Sequence, residues 1–509
     1  MIYVPFLINR SVQFKLPFLI VRMLTLICTV LLSIAALAKP AVDKRLSIVD
    51  TVRVSANKKQ LPADSIKQYL QINKILIVGN NHTHNSVILR ELKLKKGDVV
   101  SEDDLASILN RDQQKLFNLH LFNIVTIQPI PLDTGTIYLL VELDERWYTF
   151  PVPRFQLSDR NFNEWWENYN HDLNRVNYGI KLYQYNLWGR NHTLLLTAQF
   201  GFQKKFQLLY RVPYINKKQK EGLIFEIDYL DGKSVPESTI DHKLHFIKSR
   251  NVLRSTQGVG LTYTYRNNFY IQHRLKYEYR HTTIADTLQK LNPNYLGEEK
   301  KRQQFDALTY EFISDHRDVS AYPLKGYEFQ VGATQSGIGL RQDLNKTSAQ
   351  IRFSGFIDLK KNFFLSNLSF LYWSTPTNLP YFNYGSMGYD KIFIRGYEVY
   401  VIEGPKFALN KTTFKKKIFS RNWRLNNWPI KQFNYFPISI YLKTYADFGY
   451  VSNYPVYEQT EKNSFLSDKI LSGGGFGLDI VTAYDMAIRF EYSFTSQNNG
   501  FFLHFKKEF

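Results

Sequence analysis

The sequence predicts a transmembrane antiparallel β-barrel of about sixteen strands, preceded by one small α+β domain. Three observations carry this expectation. Helical periodicity is confined to a short stretch near residues 85–117. Beyond Asp159, apolar and polar residues alternate with a period of two, the mark of strands with one buried face. Aromatics are dense, with 34 Tyr and 38 Phe, and they crowd the ends of the alternating runs as interfacial girdles do.

The first 38 residues stand apart. Arg10, Lys15 and Arg22 precede the apolar run Leu24–Leu32, and Ala36-Leu37-Ala38 closes it, the layout of a secretory signal peptide over residues 1–38. An N-terminal anchor is the alternative, but the run falls short of the ~20 residues a span needs. Met1 and Met23 are both candidate starts. Cys28, the only cysteine, lies inside this segment, so neither disulfides nor thiol chemistry is expected of the exported protein. Residues 39–68 lack periodicity and read as a linker.

Residues 69–148 read as a β-α-α-β-β unit. "QINKILIVGNN" is a β-run closed by a turn at Gly79-Asn80-Asn81. "THNSVILRELKL" places Val87, Ile88, Leu89 and Leu92 at helical spacing. In the second helix Ser101 is the expected N-cap, three acidic residues fill the first turn, and Leu105, Ile108, Leu109 and Leu116 form the apolar stripe. "LFNIVTIQPI" and "TIYLLVELDE" follow as strands.

Residues 149–509 read as the barrel. In "AIRFEYSF", Ile488, Phe490, Tyr492 and Phe494 share one face, and Arg489, Glu491 and Ser493 the other. "RLKYEYRH" and the closing "FFLHFKKEF" alternate likewise, ending on Phe505 and Phe509. Stacked soluble sandwiches alternate too, but one core seldom grows to this length, and a densely charged second face suits a water-filled lumen. A mean hydropathy of −0.31 argues against a helical membrane bundle. The formal charge of +20 favours anionic partners, and for an exported chain these are lipid phosphates before nucleic acid, for which no motif is present.

Two triplets suggest a kinase: His316-Arg317-Asp318 and Asp447-Phe448-Gly449. A kinase needs both aspartates on one set of phosphates and metals, with an Asn five residues after the first; Pro323 stands there, and no glycine-rich loop precedes. His242 and His245 point to opposite faces of a strand and cannot share a metal. "DGKS" at Asp231–Ser234 lacks the earlier P-loop glycine, and no hydrolase motif is present. The expectation is therefore no enzyme, no cofactor and no metal.

The same residues fit another pattern. Ile394-Arg395-Gly396-Tyr397 in "FIRGYEVY" resembles the loop signature of the bacterial surface-antigen superfamily, which includes BamA-like and TamA-like assembly factors and two-partner secretion transporters. Asp315, Arg317, Asp318, Pro323 and Gly326 match its strand–turn segment, Asp447 and Gly449 its Asp-x-Gly strand, and "LSGGGFGLDI" its glycine-rich penultimate region. Residues 69–148 are similar to its POTRA domain. The resemblance implies that the loop tucks into the lumen, with Arg395 forked onto Asp447, Gly396 making the turn and Tyr397 packed beneath. Thr413 aligns where relatives place a second inward glutamate, which leaves Arg395 one carboxylate.

The resemblance also implies an outer-membrane protein with its POTRA domain in the periplasm, assisting insertion, assembly or translocation of proteins. Export of a dedicated substrate is the alternative, and a passive pore comes third. The implied partners are outer-membrane lipid and lipopolysaccharide, unfolded outer-membrane or secreted clients, and periplasmic accessory subunits. POTRA strand edges are expected to accept partner strands. A weak first–last strand seam is expected between "YGIKLYQYNLWG" and "GFFLHFKKEF". One POTRA domain, where the central assembly factor has several, points to a specialised member.

Overall fold

The computed structural model describes residues 69–133, 135–157, 176–389, 392–424, 429–497 and 499–505. The signal segment, the linker and Phe509 lie outside them. By internal packing the described residues fall into two units, those within Asn422–Phe436 and those within Pro62–Arg421 and Pro437–Phe509. The described residues of the first are the end of one long strand and the start of the next. The second unit holds everything that follows.

The small domain contains β1 (Tyr69–Val78), α1 (Asn85–Glu91), β2 (Val99–Ser101), α2 (Glu102–Phe117), β3 (Phe122–Asp133) and β4 (Thr136–Glu145). Its sheet runs β2-β1-β4-β3, with β1 parallel to β4 and the other pairs antiparallel. Leu105, Ile108, Leu109 and Leu116 of α2 and Val87 and Ile88 of α1 cover Ile72, Leu139 and Val141 of the sheet, which gives the domain its own core. Three details differ from the sequence reading. The added strand β2 joins β1, and Ser101 occupies the N-cap position without a side-chain capping bond. Helix α1 stops at Glu91, with Leu92 extended.

The large sheet has 16 strands. They begin with β5 (Thr149–Leu157), β6 (Val176–Leu187), β7 (His192–Gly201), β8 (Lys205–Val212) and β9 (Glu221–Gly232). A separate hairpin, β10 (Ser234–Ile240) and β11 (Lys243–Lys248), interrupts before β12 (Arg254–Arg266) and β13 (Ile271–Ile284). Helix α3 (Asp286–Leu291) precedes β14 (Arg302–Asp315), β15 (Gly326–Gln342), β16 (Lys346–Lys360) and β17 (Phe363–Thr375). The next connection carries β18 (Ser386–Met387) and β19 (Ile402–Glu403), then returns as β20 (Lys406–Arg424) and β21 (Tyr435–Val451). After α4 (Pro455–Thr460) come β22 (Leu471–Thr482), β23 (Ala487–Thr495) and β24 (Asn499–Phe505). The first strand of the sheet is thus β5, and "YGIKLYQYNLWG" belongs to the second, a correction to the seam assigned from sequence. Its Pro-rich pattern hid β5, because proline demotes a run read by propensity alone.

Neighbouring strands are antiparallel, and the far end of the sheet returns to its beginning: Phe150 of β5 meets Tyr484, between β22 and β23, edge-on at 5.4 Å. The fold is a transmembrane barrel, and alternation follows from it. Val259, Leu261 and Tyr263 of β12 and Leu442, Phe448 and Tyr450 of β21 are exposed outward, where lipid takes the place of water. The intervening positions face the lumen. There Gly258 and Gly260 of β12 leave room for ion pairs to pass over the strand, Arg280–Asp228 at 2.7 Å and Lys276–Glu226 at 2.9 Å; a Cβ on Gly258 would sit 2.7 Å from both Arg280 and Asp228. Among the described residues no helix is long and apolar enough to cross a membrane.

Candidate functional site

The connection between β17 and β20 enters the lumen and ends on Arg395, which is 3% exposed. Its guanidinium forks onto Asp447 of β21, Nη2 donating to Oδ1 at 2.6 Å and Nε to Oδ2 at 2.8 Å, while the Arg395 backbone N–H donates to Oδ2 at 3.0 Å. Nη2 also donates to the Thr413 hydroxyl at 3.0 Å. The plane stacks over the Tyr445 ring, 3.9 Å from its centroid. Planar two-point recognition with a stacked face is arginine chemistry that lysine does not reproduce.

A second carboxylate is present, on a strand the sequence alignment did not consider: Glu491 of β23 lies 3.6 Å from Arg395 Nη1. Thr413 does stand beside the guanidinium, so the position is neutral, and β23 supplies the charge instead. Glu491 also pairs with Lys443 at 2.8 Å, and Lys443 with Asp479 at 2.5 Å. Sequence reasoning had placed Glu491 on the polar face of its strand without giving it a partner. Lys443 and Asp479 were missed. Strand parity could have found both, since they share a face with Asp447 and with the lumen glycines of β22.

Glycines make the loop's seat. A Cβ on Gly473 would lie 2.2 Å from the Arg395 carbonyl, and one on Gly449 2.5 Å from Ile394. Gly396 has φ +96°, and a Cβ there would meet Thr495 at 2.2 Å, so both conformation and space require glycine. Tyr397 is buried with Ile394 in an apolar cluster that includes Met387 and Val451.

The strand–turn residues lie apart from Arg395, at the small-domain end. Arg317 forks onto Asp315 at 2.8 and 2.6 Å and reaches Glu328 at 2.8 Å. The Asp318 carboxylate caps the turn by accepting the N–H groups of Val319 and Leu324. Pro323 is buried, and Gly326 has φ +95° with the His316 carbonyl 2.0 Å from where its Cβ would be. Phe505 pairs with Ile488 through its backbone in β24.

Around the same end the small domain is bolted to the barrel turns. Arg266 forks onto Glu91 at 2.8 and 2.9 Å, Asn118 donates to the Asp318 carbonyl at 3.0 Å, and Asp485 pairs with both His120 at 2.7 Å and Arg146 at 2.9 Å. Burial alone would push the Asp485 carboxyl upward, but its bonds to His120 and Arg146 outweigh it and hold the carboxyl well below its ordinary range. Burial also brings Arg90, on the same face, down to about 10. A cavity of about 780 Å³ lies beneath, lined by Arg90, Arg211, Arg266, Arg274 and Arg317 together with Glu226, Glu311 and Glu328.

The opposite mouth is covered by the β10–β11 hairpin, α4 and the loop itself. Val401 donates to the His242 carbonyl at 2.8 Å, Leu466 N–H donates to His242 Nε2 at 3.1 Å, and Asn463 holds the His242 N–H at 2.8 Å. Burial pushes the His242 imidazole down to about 4. Glu403 accepts hydroxyl bonds from Tyr389 and Tyr457, each 2.5 Å. His245, by contrast, is exposed and bonded to Glu237. Among the described residues no cluster suited to a metal ion is present.

The POTRA edge expected to accept partner strands is narrower than the sequence suggested. Strand β3 ends its sheet and carries Pro129 and Pro131, which have no N–H to offer.

The POTRA family, described as surface antigen variable number repeat, matches residues 70–146, and the Omp85 superfamily domain matches residues 186–501. No curated protein sequence matches the chain. Among solved structures, CdiB from Escherichia coli is similar at 11% identity and a TM-score of 0.51, over 86% of this chain and 74% of that one. BamA from Haemophilus ducreyi lacking POTRA domains 1–3 is similar at 16% identity and a TM-score of 0.47, over 86% and 84%. CdiB from Acinetobacter baumannii is similar at 13% identity and a TM-score of 0.47, over 86% and 73%.

Proposed function

The chain belongs to the Omp85 superfamily of outer-membrane proteins, and from that premise we propose that it assists the insertion or assembly of proteins at the outer membrane. Its barrel lies in the outer membrane and its POTRA domain in the periplasm. Members of this superfamily handle client proteins and accessory subunits, and they are insertion or transport proteins rather than enzymes. The observation that carries the proposal is the occupied lumen. Arg395 and its loop are anchored inside the lumen, the POTRA domain is bonded across the periplasmic turns, and the β10–β11 hairpin covers the outer mouth. An interior stoppered by buried charge pairs opposes free diffusion and suits a protein that acts on other chains at its wall and rim.

Depletion in the native organism tests the reading. Accumulation of unassembled barrel proteins in the periplasm, with those clients recovered by cross-linking to the POTRA domain, is the expected result. Loss of one secreted protein with normal outer-membrane barrels would instead assign export of a dedicated substrate, the runner-up. Passage of small solutes lost on depletion, with neither effect, would assign a pore.

A further inference from the structure

On the barrel wall, strands β17 and β20 break the rule that positions facing lipid are apolar. The inward positions of β17 are Phe364, Ser366, Leu368 and Phe370, all buried. Those of β20 are Leu409, Lys411 and Thr413, and the Thr413 hydroxyl takes a bond from Arg395 inside the lumen. Period two then turns Asn367 and Ser369 of β17, and Asn410 and Thr412 of β20, outward. They stand opposite one another in register, Asn367↔Thr412 and Ser369↔Asn410, and all are half-buried. Phe363 and Phe414, stacked at 5.5 Å, lie on their periplasmic side, and exposed Leu371 and Trp373 on the outer side. The polar group therefore sits at mid-height. There β9, β12, β13 and β14 present Phe225, Ile227, Leu261, Leu275 and Leu308 instead.

These side chains bond to one another. Asn367 Nδ2 donates to Thr412 Oγ1 at 2.8 Å and to Asn410 Oδ1 at 3.2 Å, while Asn410 Nδ2 donates to Ser369 Oγ at 2.9 Å and to Asn367 Oδ1 at 3.3 Å. Mutual bonding makes the patch tolerable in hydrocarbon, yet each hydroxyl oxygen keeps acceptor capacity that lipid tails cannot use. A wall that met lipid alone would lose nothing by carrying leucine here. Polar groups beside small residues are how protein surfaces recognise one another within a membrane. Small residues are present: Gly355 of β16 pairs with Asn367, and Ala408 of β20 with Leu371. Phe353 and Leu371, 42% and 52% exposed, rise beside these recesses. The patch and these neighbours carry no charge, so one face holds projections, recesses, donors and acceptors, and is complementary to itself. Strands β14 to β17 with β20 and β21, spaced about 4.8 Å over a band about 25 Å tall, offer roughly 700 Å² of wall, close to the ~800 Å² per partner of a stable interface.

We propose that the β17–β20 wall is an interface between two copies of this chain in the membrane, related by a twofold axis through Asn367, Ser369, Asn410 and Thr412. Bonds now closed within one copy exchange there for bonds across the axis. The interface lies directly behind the seat of the lumen loop, because the Thr412 carbonyl accepts Arg395 Nη2 at 3.4 Å. It is a property of the barrel wall and holds whichever client the protein serves, so its test contains no client.

Single cysteines test it, because the chain's one cysteine, Cys28, lies in the segment read as a signal peptide. In a Cys28→Ser background, Asn367→Cys, Ser369→Cys, Asn410→Cys and Thr412→Cys are oxidised one at a time in the native outer membrane. A disulfide-linked product of twice the chain's mass is expected from at least one of them, and none from Leu261→Cys on the β12 wall. Separately, Asn367→Leu/Asn410→Leu is expected to lower the two-copy fraction in lipid nanodiscs about tenfold, with the barrel still folded by migration on unheated gels. Cross-linking at none of the patch positions, or as much at Leu261→Cys, overturns the proposal. So does a product that contains a different protein, which would assign the patch to that partner. A two-copy fraction unmoved in the folded double variant overturns it as well. Should the double variant fail to fold, the cysteine series decides alone.

Discussion

Arg395 is the residue on which the lumen arrangement turns, and its substitutions separate charge from shape. Arg395→Ala leaves Asp447 and Glu491 buried with one fewer cation, and stranding a buried carboxylate costs about 3–5 kcal/mol. Arg395→Lys keeps the charge but loses the fork and the stacking on Tyr445, so it is expected to fall between wild type and alanine. Denaturant midpoints of the refolded protein in lipid check the order. Proteolysis within the loop should rise in the same sequence. Equal stability of all three would show that Asp447 is satisfied without the guanidinium.

At the scale of elements, the hairpin β10–β11 offers a test through pH. The His242 Nε2 must be unprotonated to accept the Leu466 N–H, and burial keeps its folded pKa at about 4, below the ordinary histidine value of about 6.5. Between those values the unfolded hairpin binds a proton that the docked one does not, so docking stability is complete above about 6.5 and falls as pH drops toward 4. The protection factor of the Leu466 amide, its exchange relative to the intrinsic rate at each pH, should fall from pH 7 to pH 5, and His242→Gln should flatten that dependence. Much of the barrel was legible in sequence because period-two alternation is written into each strand, as in β12 and β23, and the stripe on α2 is written likewise at helical spacing. The hairpin lid was not, because its docking depends on His242, Asn463 and Val401, which local pattern does not link. Strand β5 was missed as the start of the sheet because two prolines in nine residues read locally as a breaker, whereas at a sheet edge they are tolerated. Glu491 was legible as inward but not as the partner of Arg395, since pairing across strands depends on register.

At the scale of the whole molecule, a continuous set of buried polar contacts runs from the loop to the POTRA domain. Arg395 faces Glu491, Glu491 and Asp479 share Lys443, and the Tyr322 hydroxyl donates to Asp479 at 2.7 Å. Tyr322 belongs to the turn whose Asp318 carbonyl and Ser320 hydroxyl are bonded to Asn118 and His120 of the POTRA domain. Proximity alone does not establish coupling; a two-way energetic effect does. Tyr322→Phe removes one hydroxyl from the middle of the set and leaves Asp479 short of a donor, while Asn118→Ala loosens the POTRA end. If the contacts act as a unit, the pair is non-additive by about 0.5–2 kcal/mol in exchange protection of the loop around Arg395. Additivity within about 0.3–0.5 kcal/mol would mean that loop and domain are held independently. Coupling would give a client bound at the periplasmic domain a physical route to the lumen loop, because displacing the turn that carries Tyr322 would withdraw a donor from Asp479 and weaken the charge cluster that holds Arg395.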